Sequence, residues 1–533
     1  MKTPSIQIPF LVLAFFAMVH LNMIHAQCEI AVSADQTSIM QGNSAVLTAT
    51  GAAHYFWSPT VALSSDVGAS VVATPLETTT YTATGICSWT KLDAGLQYVM
   101  GIRDNGTLWA WGKGNSGQLG NGMLDNQTLP FQIGTDDDWV SIAAGNNHGL
   151  AIKSNGTLWS WGEDDYGQLG NGLLEYVLSP VQVGSDTDWQ DVTAGAKHSL
   201  ALKTDGTLWS WGDNMNYQLG NGTNSAVITP EQIGIDNDWV HISAQGFHNL
   251  AIRSNGTLWT WGDDAYGQIG NLEEANQPSP IQITSDTDWA SVAAGYYYST
   301  ALKTDGTFWT WGNDYQYQLG IDLGIVQPVP VQVGTSHWSV IDPGFFHTTG
   351  IQTDNSLWVW GRGQDGQLGL GDYEDQPTPV HVGGSYVMVE AANDYTLVVD
   401  DQGQLWSCGV NDVGQLGIGN TNLTYNTYQP VTSGSISTAE ITITVLPDGI
   451  SEPGNLKEIS IYPNPAHHVV TVNCDQALIP CFYLIVDDIG KNVSTGMINQ
   501  KAGNLDISKL QAGVYTVLFS HNNEQVRKRI IVD

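Results

Sequence analysis

The chain is poor in positive charge. It carries 17 Lys and Arg against 52 Asp and Glu, a net charge of −35 over 533 residues. Nine of those basic residues fall between 88 and 433 and seven after 450. Nucleic-acid binding relies on clustered Lys and Arg facing phosphates, so DNA and RNA are excluded as expected partners. Long apolar runs are equally scarce. Only Ile8–Val19 stands out, and nothing approaches the ~18 apolar residues of a membrane span. The five cysteines show no C-x-x-C or His/Cys spacing of a zinc site. No Ser/His/Asp set or paired carboxylates break the sequence pattern, so no enzyme and no cofactor are expected.

What is present is a repeat. The tetrad W-x-W-G starts at Trp109, Trp159, Trp209, Trp259, Trp309 and Trp358, and a degenerate copy starts at Trp406. The offsets of 50, 50, 50, 50, 49 and 48 residues define seven units. A fixed period of this size signals a propeller, solenoid or array. Within one unit, Trp139–Gly145 and His148–Lys153 are short alternating runs. Asn155-Gly156 is a turn favouring positive φ, Thr157–Trp161 is the return strand, and Pro180–Val183 adds a fourth. Four short strands make a propeller blade, and ring closure limits exposed edges.

The elements A-G-x-x-H, D/N-G-T-L-W-x-W-G and G-Q-L-G-x-G together resemble the RCC1 repeat over residues 88–433. The resemblance implies a seven-bladed β-propeller. The family's chromatin role is not carried over, because this acidic chain would repel DNA.

The ends assign the compartment. Lys2, the run Ile8–Val19 and the small Ala26 read as a secretory signal peptide, residues 1–26. Residues 27–87 resemble a bacterial Ig-like domain, through Trp57-Ser58-Pro59 and the strand around Thr79–Thr84. That sandwich lacks a final strand, and Thr438–Leu446 supplies the pattern, so the propeller is expected to be inserted into it. Residues 447–456 read as a linker. Residues 457–533, with Tyr462-Pro463-Asn464-Pro465, Asp487 to Lys491 and Leu510 to Tyr515, resemble the type A C-terminal sorting domain of the type IX secretion system. This implies contact with that machinery and release or surface attachment. The expected fold class is all-β: a propeller inserted in an Ig-like sandwich, followed by a sorting β-sandwich.

In an exported chain disulfides are permitted. Cys28 with Cys87 and Cys474 with Cys481 are the candidate pairs, while Cys408 replaces a repeat Trp and reads as a small buried hydrophobe. His148, His198, His248 and His347 occupy equivalent slots in separate blades, with Tyr98, Tyr298 and Tyr395 in the others. Tyr replacement fits a half-buried ring better than a metal ligand. The pairs Asp136/Asp138, Asp186/Asp188, Asp236/Asp238 and Asp286/Asp288 offer fewer oxygens than a calcium site takes and read as turn formers, with calcium the minor alternative. Asn105, Asn155, Asn221 and Asn255 match glycosylation sequons, but most coincide with the hairpin turn.

One irregularity points to a ligand. The two slots after A-G are mostly small or polar in blades 1–3 and 7. In blades 4–6 they carry Phe247, Tyr296, Tyr297, Phe345 and Phe346. Rings in equivalent turns lie on one face, and a contiguous aromatic patch marks an interaction site. The loops after G-Q-L-G vary within a regular frame and are a second candidate surface. The expected function is a secreted or cell-surface binding protein for an extracellular protein or glycan. A structural matrix role is the alternative, and a propeller enzyme acting on polysaccharide a more distant one.

Overall fold

A computed structural model describes residues 30–431 except 53 and 274, residues 436–446, and 459–532 except 463–465, 467, 474–478, 488–490 and 522–523. The expected signal peptide, the linker and Pro463-Asn464-Pro465 lie outside the described residues.

Each repeat folds into one four-stranded antiparallel sheet with its strands in sequence order. Blade 1 comprises Trp89–Ala94, Tyr98–Arg103, Leu108–Gly112 and Gln127–Gln132, and blade 7 runs from Tyr386–Ala391 to Thr424–Pro430. The hairpin turn explains the recurring D/N-G-T. Gly156 has φ +78°, and a Cβ there would lie 2.1 Å from the Thr187 carbonyl oxygen. Asn155 Oδ1 accepts from the Thr157 amide at 3.1 Å and its hydroxyl at 2.7 Å. The side chain thereby holds the turn, as Asp205 does in the next blade.

The second Trp of W-x-W-G joins one blade to the one before it. Trp161 is fully buried among Met100, Leu108 and Leu119 of blade 1. Its Nε1 donates to the Gln118 carbonyl oxygen at 2.9 Å. The same handover repeats from Trp211 to Gln168, Trp261 to Gln218, Trp311 to Gln268 and Trp360 to Gln318. A buried indole thus contributes its large apolar area with its one donor satisfied. In blade 7, Cys408 is buried and its thiol reaches the Gln367 carbonyl at 3.3 Å. The missing indole is replaced from another strand: the Tyr428 ring packs against Gly369, where other blades place Trp against glycine.

Ring closure uses the same contacts and no shared strand. Trp111 Nε1 donates to the Gln415 carbonyl at 3.0 Å, and the Tyr395 hydroxyl to the Tyr98 carbonyl at 2.8 Å. Blades 7 and 1 have no chain linkage between them. Instead, the strand Ile436–Leu446, which leaves blade 7, pairs antiparallel with Thr79–Ile86, which enters blade 1, from Ile86↔Ile436 to Thr79↔Ile443. It also pairs in parallel with Ser38–Met40. These strands and His54–Ser58 form one sheet of a small sandwich, and Ala31–Ala34, Ala45–Thr50 and Ser70–Ala73 form the other. Leu47, Trp57, Tyr81 and Ile443 lie in its core. The propeller chain therefore leaves from and returns to a single sheet. Cys87 at this junction is disulfide-bonded; Cys28 lies outside the described residues.

Residues 460–532 form a second sandwich of a three-stranded and a four-stranded sheet around Val470, Ile485, Val517 and Phe519. Cys481 is buried in this core, and Cys474, its expected partner, lies outside the described residues. Among the described residues no helix is long and apolar enough to cross a membrane.

Candidate binding face

Strand directions place two sets of turns on one face of the ring. The turns between first and second strands, holding the slots after A-G, and the loops between third and fourth strands share that face. The D/N-G-T hairpins occupy the other, as the pairings His148↔Gly162, Ile152↔Leu158 and Gly162↔Val177 require.

The five aromatic residues come together as one cluster. Phe247 meets Tyr296 at 6.0 Å between centroids, Tyr296 meets Tyr297 at 4.6 Å and Phe345 at 4.0 Å, and Phe345 meets Phe346 at 6.3 Å. They do not form a flat exposed patch. Phe345 is buried at 8 % exposure and the other four are half-buried. Tyr296 leans across toward the Asn146 side chain of blade 2. The first-slot rings Tyr296 and Phe345 stack at the centre of the cluster, with Phe247, Tyr297 and Phe346 around them.

The structure adds rings from the neighbouring loops. Tyr266 lies 5.0 Å from Tyr297 and 6.3 Å from Tyr315. Tyr315 is 56 % and Met215 72 % exposed. The signal for these was present: Tyr166 and Tyr266 hold the same place before G-Q in their repeats. The variable loops on this face expose Leu173, Leu174, Leu272, Leu323, Ile325 and Leu423.

Other candidates resolve into scaffold. Each buried histidine bonds the next blade: His148 Nε2 to Ser199 Oγ at 3.1 Å, His198 to Asn249 at 2.7 Å, His248 to Ser299 at 2.9 Å and His347 to Thr396 at 2.8 Å. Burial pulls these imidazoles down to about 3 or 4, keeping them neutral. Among the described residues no three His, Cys, Asp or Glu gather as a metal site. The opposite face has two open recesses, of about 590 Å³ between blades 5 and 6 and about 580 Å³ between blades 1 and 2.

The Asp pairs are not simply turn formers. Lys153 lies 4.7 Å from the Trp139 ring and 5.1 Å from Trp159, and reaches Asp136 at 2.6 Å and Asp138 at 3.0 Å. Lys203, Arg253 and Lys303 repeat this clamp. Each cation is sandwiched by two indoles and capped by two carboxylates. In blade 1, Arg103 sits between Trp89 and Trp109, but Ile86 and Ser88 hold the cap positions. Its Nε and Nη2 have no hydrogen-bond partner among the described residues, and burial lowers its pKa to about 10. Ser88→Asp is expected to complete this clamp and stabilise the protein by about 1–3 kcal/mol. A melting temperature at or below that of the parent would show that blade 1 does not tolerate the cap.

A family model described as the RCC1-like domain matches residues 191–472, more than half of the chain. The chain belongs to the RCC1-like domain family. RCC1 repeat models also match residues 105–152, 155–202 and 139–168. A secretion system C-terminal sorting domain matches residues 460–533, so this RCC1-like protein is exported to the cell surface or beyond and engages the secretion machinery through that domain. Its structure is similar to human WBSCR16, at 23% identity and TM-score 0.54, over 58% of this chain and 86% of that one. It is also similar to yeast RCC1 (Prp20) from a complex with Kap60, at 18% identity and TM-score 0.56, covering 68% and 91%. Prp20p of Saccharomyces cerevisiae alone gives 19% identity and TM-score 0.56, covering 68% and 94%. These likenesses establish the propeller fold. No curated protein sequence matches the chain.

Proposed function

We propose that this RCC1-like propeller is a non-catalytic binding platform for an extracellular protein or glycan, engaged through the face that carries the aromatic cluster. The observation that carries the reading is the confinement of Phe247, Tyr296, Tyr297, Phe345 and Phe346 to adjoining blades of an otherwise regular ring, with Tyr266 and Tyr315 beside them. The fold needs none of the five slot rings, because the same slots hold Leu96/Gln97, Asn146/Asn147 and Ala196/Lys197 elsewhere. Partly exposed aromatics surrounded by polar loops have the composition of recognition surfaces.

The test is capture from native extracellular material, proteins and glycans together, using the mature chain as bait. A matched bait carries Phe247→Ser, Tyr297→Ser and Phe346→Ser and leaves the central Tyr296 and Phe345 intact. The expected result is a partner retained by the first bait and lost from the second, with both folded by circular dichroism. Equal capture by both would move the site to the apolar variable loops. No partner on either would favour the matrix role.

A further inference from the structure

We infer that the aromatic face accepts a basic segment of a protein partner, with its guanidinium or ammonium groups seated over the tyrosine rings of blades 4 and 5. This rests on the reading of that face as a binding platform and names the chemistry of what it binds.

The propeller carries nine basic residues. Arg103, Lys153, Lys203, Arg253 and Lys303 are enclosed between paired indoles. Lys91 Nζ donates to Ser141 Oγ of blade 2 at 3.2 Å. Three remain for the binding face: Lys113, Lys197 and Arg362. Arg362 is committed to Asp365 at 2.6 Å and Asp394 at 2.8 Å. Lys113 belongs to blade 1. Lys197 Nζ stands 4.2 Å from the centre of the Tyr166 ring.

That last contact shows what the slot can hold. Lys197 occupies the second slot after A-G in blade 3, and Tyr166 the turn before G-Q in blade 2. Tyr297 and Tyr266 are their counterparts in blades 5 and 4, 5.0 Å apart. Where blades 2 and 3 supply an internal cation to a tyrosine face, blades 4 and 5 supply a second ring and no cation of their own, Lys197 of blade 3 being the positive charge felt by Tyr296. The carboxylates remain. Asp263 is half-buried beside Tyr296 and Tyr297, with Gln268 Nε2 at 2.8 Å. Among the described residues it has no ion-pair partner. Asp213 and Asp314 in the neighbouring turns are buried and spent on internal donors, Met215 N and Gln218 Nε2 for the first, Leu319 N and Gly324 N for the second. Rings whose faces are electron-rich, bordered by the half-buried Asp263 carboxylate, select a cation over a neutral or anionic group. Arginine fits best, since its planar group stacks on a ring while its edge donates to a carboxylate.

A chain of net charge −35 attracts any polycation, so the test uses substitutions that leave charge unchanged. Binding of an alternating Arg-Gly decapeptide to the full mature chain is measured at 150 mM salt. The parent is compared with Tyr266→Ser/Tyr297→Ser and with Tyr266→Leu/Tyr297→Leu. The expected result is at least tenfold weaker binding for both variants. The leucine pair guards against a merely unfolded face. Equal affinities across the three proteins would overturn the inference and mark the attraction as diffuse charge. Stronger binding of a neutral oligosaccharide such as cellohexaose, lost in the same variants, would also overturn it while leaving the platform reading standing. Failure of the capture experiment above would remove the platform itself.

Discussion

Replacing Asp342 by Asn and Glu390 by Gln is expected to stabilise the protein at pH 8 by several kcal/mol, with no gain near pH 4. In five of the seven blades the fifth residue of the innermost strand carries an oxygen that reaches the next blade; blades 2 and 5 have Ala143 and Ala293 there. In blades 3 and 4 it is a hydroxyl: Thr193 accepts from the Ala244 amide at 3.0 Å and Ser243 from Ala294 at 2.9 Å. In blades 6, 7 and 1 it is a carboxyl. Asp342 accepts from Ala391, and Glu390 from Ala94 at 3.0 Å, across the junction that has no chain linkage. Asp93 continues the row toward Ala144. Burial raises all three, with Asp93 and Asp342 at about 7; the charge of Asp93 adds to the rise at Asp342, and those of Asp342 and Asp93 to the rise at Glu390. Lys91 offsets part of this for Asp93, while Asp191 and the buried Tyr98 and Tyr395 stand nearby.

The sign follows from linkage. A carboxyl raised in the folded state contributes stability that is complete below its unfolded value of ~4 and lost as pH rises through its folded value. Each unit of displacement corresponds to about 1.4 kcal/mol. The four neutral histidines act oppositely, weakening the fold as pH falls below ~6.5. Between ~4 and ~6.5 the two effects oppose each other in the parent. The double amide keeps both acceptors and removes two titrations, so its melting temperature should depend more steeply on acid. Parallel parent and variant curves from pH 4 to 9 would refute the account.

Ile443→Asp is expected to have the largest single effect. Ile443 is fully buried in the sandwich core, on the strand that pairs with Thr79–Ile86. An unpaired carboxylate there costs on the order of 4 kcal/mol or more, a large share of a small domain's stability. The sandwich should unfold, and with its ladder gone the two ends of the ring separate. Calorimetry of the variant should show the propeller transition moved to lower temperature. A propeller transition unchanged from the parent would mean that blades 7 and 1 hold together through their own contacts.

Much of the ring could be read from the chain because its determinants are local. W-x-W-G, the D/N-G-T turn and the glycine of G-Q-L-G each recur at one spacing and act within one sheet or between neighbours. The pairing of Ile436–Leu446 with Thr79–Ile86 was visible only as a strand missing from one place and present in another. Interactions between distant positions were harder. Lys153 lies 17 residues from Asp136, and nothing in the sequence says that two indoles hold the cation where both carboxylates can cap it. Tyr428 replaces an absent Trp from a different strand, which no alignment of repeats suggests. For the aromatic slots, their shared face followed from the repeat. The central stacking of Tyr296 and Phe345 did not, because it is set between blades 5 and 6 and by Asn146 of blade 2.

The self-contained blades bear on how such a ring can grow. Since no sheet draws strands from two repeats, copying or deleting one fifty-residue unit would leave every remaining sheet whole. Each new copy would bring its own tryptophan donor and its own backbone acceptor, so the handover from neighbour to neighbour would be preserved. The number of blades is then governed by the wedge angle at which adjoining sheets pack, and by whether the two chain ends still meet within reach of the sandwich.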